Sequence, residues 1–262
     1  NTISKDPRFS QGTTLSLNAG NQSVFSGRFR HAQVLNDKLS FKISGEYSRG
    51  TEFDYTDTVY VGAKGYRELD LDTKFDAIRG EAGLYYSFDK SSDFILSYGG
   101  SNSNNIGVTS AGRNQIKDWQ IHYLQGRYVS KNLFAQLYHT WSMTSNTYAM
   151  NQRTQNYVSF INAGFSDSEA RSRSFKEAWA GTKAAGFALP RGAVFEDASK
   201  RWNGEVQYNQ TFGSLNLITG VQWQGDNANS NNTYLLDKNG PIIVNQYGFY
   251  AQAEYEIENS RF

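Results

Sequence analysis

The sequence has no cysteine. That excludes a disulfide framework and any thiolate metal site. Prolines number only three. No apolar run reaches the roughly 18 residues a membrane-spanning helix needs. The 26 lysines and arginines nearly balance the 25 aspartates and glutamates, so no basic field is present to attract nucleic acid. No signal peptide is visible, and the chain opens on Asn1 rather than Met, which reads as a mature protein or a cut fragment. Aromatic residues make up 15% of the chain, against a polar mean hydropathy of −0.63. A soluble protein hides such rings in a core, whereas a transmembrane barrel sets them in girdles at the lipid interface.

The stretch from Ser23 to Gly50 shows the organising pattern. Leu39, Phe41, Ile43, Gly45 and Tyr47 alternate with Ser40, Lys42, Ser44, Glu46 and Ser48. Successive strand side chains point to opposite faces, so this is a strand with one apolar and one polar face. Phe25, Gly27 and Phe29 alternate with Arg28 and Arg30 in a strand before it. Asn36-Asp37-Lys38 between the two is turn chemistry.

The unit recurs along the chain. The first strand covers Thr13 to Ala19, the second Ser23 to Val34 and the third Leu39 to Ser48. A polar loop is expected from Gly50 to Lys74. Ile78, Gly80, Ala82, Leu84 and Tyr86 form the apolar face of a fourth strand, and Phe94, Leu96 and Tyr98 that of a fifth. Ser101 to Lys117 reads as a Ser/Asn/Gly-rich loop. Trp119 to Val129 and Leu133 to Ser142 are the sixth and seventh strands, the apolar face of the seventh being unassignable. A connection of more than fifty residues follows. Trp202, Gly204, Val206, Tyr208 and Phe212 mark the eighth strand. Leu215, Leu217, Val221 and Trp223 mark the ninth. Tyr247, Phe249, Ala251, Ala253, Tyr255 and Ile257 mark the tenth.

Two regularities favour a membrane barrel over a soluble sandwich. Tight turns alternate with long loops, which is how outer-membrane barrels sort short periplasmic turns from long extracellular loops. Charged residues are also absent from the apolar faces of strands three, four, five, eight, nine and ten. A charge facing lipid at mid-bilayer costs about 2–4 kcal/mol. The opposite face carries Arg28, Arg30, Lys42, Glu46, Arg79, Glu81, Glu205 and Glu254.

In the long connection, Ser166-Asp167-Ser168-Glu169 fits a capping box, and Phe175, Ala178, Trp179 and Thr182 follow at helical spacing. Gly186 and Pro190 would stop that helix. It reads as a short helix bracing a surface loop, with a lid over the barrel mouth as the sharper alternative. The tenth strand runs into the polar Glu258-Asn259-Ser260-Arg261-Phe262, which reads as the start of another periplasmic turn.

With these residues in view, the chain resembles the barrel of a TonB-dependent receptor, especially those of Bacteroidetes-type bacteria. Asn1-Thr2-Ile3-Ser4-Lys5 is similar to the end of that family's plug. Ser26 to Tyr47, with its paired arginines, resembles the second and third barrel strands. Leu133-Phe134-Ala135-Gln136-Leu137-Tyr138 and Asn245 to Gln252 resemble later ones. Such barrels have about 22 strands and a plugged lumen. The resemblance therefore implies an all-β, antiparallel, up-and-down barrel of which this chain holds about ten strands. Residues 1–8 would be the end of the plug or its linker, and 9–262 part of the barrel.

The resemblance also implies active uptake across the bacterial outer membrane of a scarce ligand, such as a siderophore, cobalamin or an oligosaccharide. Outer-membrane lipid, the plug and the TonB complex would be the partners, with no cofactor. Arg28, Arg30, Lys42, Glu46, Arg79 and Glu81 would face the plug, or simply a solvated lumen. Tyr55, Tyr60, Tyr66, Tyr148, Tyr157, Trp179 and Tyr234 are candidates to stack on the ligand, against the plainer reading of interface girdle or loop packing. Thr144 to Ser199 would lie outside the cell, where Arg153, Arg171, Arg173 and Lys176 suit an anionic or aromatic chelate. The alternative is a complete small barrel acting as a porin, adhesin or enzyme.

Catalytic readings have little to stand on. His31, His122 and His139 lie on expected strands with no motif joining them to a serine or carboxylate. Asp70, Asp72 and Asp76 lack the glycine and terminal glutamate of a calcium loop and read as an acidic turn.

Overall fold

The computed structural model describes residues 5–110, 112–177, 192–257 and 260–261. Its strands are β1 (Gly12–Ala19), β2 (Phe25–Val34), β3 (Leu39–Thr51), β4 (Thr58–Val61), β5 (Lys64–Arg67), β6 (Lys74–Ser87), β7 (Asp93–Thr109), β8 (Gly112–Val129) and β9 (Leu133–Ala149). Two helices follow, α1 (Met150–Asn162) and α2 (Asp167–Lys176). The chain then returns through β10 (Val194–Asp197), β11 (Lys200–Phe212), β12 (Leu215–Ala228), β13 (Ile242–Ile257) and β14 (Ser260–Arg261). The sheet runs β1-β2-β3-β6-β7-β8-β9-β11-β12-β13-β14, each strand beside its sequence neighbour in the sheet, with β10 paired to β9 and β4-β5 as a separate hairpin. Every pairing is antiparallel. The ten long strands coincide with those read from the sequence, and the architecture is an up-and-down β-barrel fragment.

Connections sort by side. β2-β3, β6-β7, β8-β9 and β11-β12 are joined by tight turns at one end of the sheet. Local chemistry makes these turns. Asn36 Oδ1 accepts from the N–H groups of Lys38 and Leu39, both at 3.0 Å. Gly213 takes φ +61° in the two-residue β11-β12 turn, a backbone conformation that glycine adopts without steric cost. The opposite end carries the 52–73 and 150–199 connections.

Register separates the two faces. One ladder row reads Phe41, Leu84, Leu96, Gly126, Leu137, Gly204, Trp223 and Tyr247. Most of its side chains are exposed, and none is charged. The same register resolves the seventh strand: Leu133, Ala135, Leu137, His139 and Trp141 point outward with this row. On that outward face Tyr98, His122, Trp141, His139 and Trp202 form a continuous run of rings, at centroid distances of 6.1, 5.3, 5.4 and 4.2 Å. On the inward face polar groups are enclosed instead, with Ser40 at 2% and Lys42 at 5% exposure.

Three expectations need correction. Ser101 to Lys117 is strand rather than loop: β7 and β8 extend to Thr109 and from Gly112. At 17 and 18 residues they exceed the roughly 9–11 that cross a bilayer. The surplus projects beyond the apolar band, where Arg113 and Gln115 are buried against the long connections and lipid-driven alternation no longer has a cause. A register shift between Ser103 and Asn105, beside Asp118 at φ +50°, marks the departure. Second, the expected 50–74 loop contains the β4-β5 hairpin. Third, α2 starts on the anticipated capping box but ends at Lys176, with Glu177 extended. Ala178, Trp179, Thr182, Gly186 and Pro190 lie outside the described residues, as do residues 1–4 and Phe262. β14 pairs antiparallel with the end of β13.

Candidate functional site

Cross-strand register brings the inward charges together. Arg28 of β2, Glu46 of β3 and Arg79 of β6 stand opposite one another, with Ser16 of β1 beside Arg28. Arg28 Nε lies 3.3 Å from Glu46 Oε1, and Lys42 Nζ lies 3.3 Å from Glu81 Oε1. Arg30 Nη2 donates to the Ser10 carbonyl at 2.6 Å. All but Lys42 of the six charges expected to face a lumen line one cavity of about 730 Å³, together with Lys5, Ser44 and Tyr123. Lys42 is enclosed just below. The alternating signs leave a surface able to hold polar, hydrogen-bonding matter of either charge.

A residue that no motif singles out fastens the N-terminal segment to this sheet. Arg8 donates to both oxygens of Asp93 at 2.8 and 2.7 Å, to Ser87 Oγ at 2.9 Å and to Asp6. The contact spans 85 positions, beyond any local motif. Burial works to raise the Asp6 pKa, but the Arg8 hydrogen bonds outweigh it and the net shift is downward.

At the opposite end the long connections form one package. Five residues of the 52–73 connection, Glu68 to Asp72, carry most of the joints. Glu68 forms an ion pair with Arg113 of β8. The Leu69 N–H donates to Thr154 Oγ1 of α1 at 3.0 Å. Asp70 receives Arg153 at 2.9 Å and Arg171 at 2.5 Å. Leu71 packs on the core of Tyr148, Met150 and Ala193. Asp72 receives Lys117 at 2.5 Å, and that bond first of all holds its carboxyl below the usual range. Asp70, Asp72 and Asp76 are therefore parted among different partners, Asp76 taking the Asn104 amide. Among the described residues no group of three acidic or histidine side chains is placed to hold a metal.

The candidate ligand aromatics divide. Tyr148 is buried, edge-on to Phe175 at 5.0 Å and under the Arg153 guanidinium. Tyr157 donates to Asp167 at 2.6 Å, a bond that raises the phenol pKa and lowers that of the carboxyl. Tyr66 meets Lys64, and Tyr55 meets Arg113. Tyr234 lies edge-on to Phe195. Tyr55 and Tyr60 are more than 60% exposed and remain open to a ligand. Trp179 is outside the described residues. Of the basic candidates, Arg153 and Arg171 are engaged with Asp70, and Arg173 with Glu177 at 2.6 Å.

The fold has counterparts among solved structures. The copper transporter OprC superposes with a TM-score of 0.57 over 95% of this chain at 13% identity. A mutant ferric enterobactin receptor, PfeA from Pseudomonas aeruginosa, superposes with a TM-score of 0.53 over 94% at 12% identity. The fold is that of these receptor and transporter barrels. The chain spans 35% and 36% of their respective lengths. No protein-family model and no curated protein matches the sequence.

Proposed function

We propose that the chain is part of the barrel of a TonB-dependent outer-membrane transporter, with residues 1–8 leading from the plug and the 52–73 and 150–199 connections facing outside the cell. The observation that carries this reading is the inverted sheet: an uncharged apolar face outward and a cavity lined by Arg28, Arg30, Glu46, Arg79 and Glu81 inward. The cavity is the seat of the polar plug surface. The fold shared with a copper transporter and a ferric enterobactin receptor supports the class, and the non-enzymatic reading with it. The open order of the sheet, in which β1 and β13 do not pair among the described residues, supports a partial barrel, since a sheet in lipid must close.

Metal chelates come first among ligands because both neighbours are named for metal cargo. The test is uptake by cells carrying the complete protein, offered copper, ferric siderophores, cobalamin and oligosaccharides, with and without a functional TonB complex. Uptake of one of these that stops without TonB is the expected result. Equal passive entry of all of them in both strains would overturn the proposal in favour of a porin.

A further inference from the structure

The outward face is not uniformly smooth. Gly45 of β3, Gly80 of β6 and Gly100 of β7 stand directly opposite one another in one ladder row. At Gly80 an added Cβ would meet only the Ser44 carbonyl at 3.5 Å, and at Gly45 only that of Arg79 at 3.7 Å. Space above both is therefore open. At Gly100 the His122 ring already lies where a Cβ would go. The result is a groove of about 570 Å³, floored by Gly80 and Gly100 and walled by Ile43, Ile78, Ala82 and Tyr98.

The two ends of the groove differ in chemistry. Toward the tight turns it is bounded by Ile43 and Ala82. Toward the long connections it ends on Asn102, Gln120 and His122. Asn102 Oδ1 is buried there and accepts no hydrogen bond, although the Asn102 amide donates to Asp118 at 2.5 Å. His122 Nδ1 meets the Tyr98 hydroxyl at 2.9 Å. One outward row higher, the exposed Arg49 of β3 stands opposite Asp76 of β6. An apolar trough closed at its upper end by the polar side chains of Asn102, Gln120 and His122 is graded as a lipid is graded.

We propose that this groove binds one acyl chain of a membrane lipid. The head group lies at the polar Asn102–Gln120–His122 end. The proposal rests on the lipid-facing assignment of the outward face. It adds that one position on that face is a site. In a bilayer an empty trough would leave its lining without partner atoms, and a chain laid along the glycines restores those contacts. Leu217 and Phe249 lie on the same outward face, away from this groove.

The test uses the complete protein in bilayers containing phosphatidylglycerol with a diazirine on its acyl chain. Cross-links are mapped residue by residue. Labelling at Ile43, Ile78 and Ala82 is expected to exceed that at Leu217 and Phe249 several-fold. It should fall to their level in Gly80→Leu, and equally in Ala82→Phe should the first variant fail to assemble. Equal labelling of both sets in the unaltered protein would overturn the site while leaving the lipid-facing assignment intact. Absence of labelling anywhere on the outward face would overturn both. Cross-links from the groove to protein rather than lipid would also overturn the site.

Discussion

Glu68 and Arg113 are 45 positions apart, and their side chains, 2% and 8% exposed, close on each other in a two-point ion pair between the first long connection and the projecting part of β8. The Arg113 guanidinium also faces the Tyr55 ring at 5.3 Å. Removing one partner of such a pair strands the other away from water.

Glu68→Gln is accordingly expected to destabilise the loop package by about 3 kcal/mol, the lower part of the range for a broken buried pair. The barrel below should hold. Hydrogen exchange of residues 64–72 and 150–160 measures this. Acceleration there with unchanged protection in β3 and β6 is the expected pattern, and unchanged exchange in both regions would show that the pair bears no load.

The inward ion pairs should behave differently. Arg28 is 63% exposed beside Glu46, and solvent-screened pairs contribute roughly 0–1 kcal/mol. Glu46→Gln is therefore expected to leave assembly in lipid unchanged while lowering TonB-dependent uptake by the complete protein. Parallel heat-modifiability and uptake assays separate the two, and a loss of assembly would contradict the assignment.

Charge placed on the outward face should be costly. Leu96→Arg is expected to lower the folding free energy in lipid vesicles by about 2–4 kcal/mol, near the bilayer midplane value. Gln125→Arg, on the inward face, should be close to neutral. Urea titration in vesicles gives both numbers, and equal costs would remove the distinction between the faces.

The β6-β7 turn supplies a pH prediction. The Ser92 hydroxyl, the Ser91 N–H and the Ser91 hydroxyl donate to Asp89, chiefly the first, and bring its pKa down to about 2. An aspartate in an unfolded chain titrates near 3.9. The turn's contribution is complete above that value and is lost as pH falls from about 4 toward about 2. Carbon-detected NMR titration of Asp89 is expected to give a midpoint near 2, and a midpoint at the unfolded value would mean the three donors do not hold in solution.

Most of the long strands were legible because they carry a two-residue period where one face meets lipid. The signal vanished where that asymmetry ended. Beyond Ser101, residues such as Ser103 and Asn105 belong to strand segments with no lipid-facing side, and Gln115 is buried against the 52–73 connection. The seventh strand was ambiguous because Phe134 points inward while His139 points outward. α1 stayed hidden because its buried side is mostly polar: Gln152, Arg153, Thr154, Asn156 and Ser159 bond to the 52–73 connection, to α2 and to the helix itself, and interrupt the buried Met150, Val158 and Phe160. The inward charge row was readable from alternation alone. The latch of Glu68 to Asp72 was not, since its partners come from β8, α1 and α2.

The outward rings from Tyr98 to Trp202 bear on how the protein rides in its membrane. They cross β7, β8, β9 and β11 within two adjacent ladder rows, a narrow collar around part of the wall. Each ring joins an apolar body to a polar edge, so each is most comfortable at the boundary between hydrocarbon and head groups. Sinking the barrel by one row would drag imidazoles and indoles into oil, and lifting it would wet Leu84, Leu96 and Leu137. Bobbing and tilting are opposed together, and the mouth formed by the long connections is held at a constant height above the lipid.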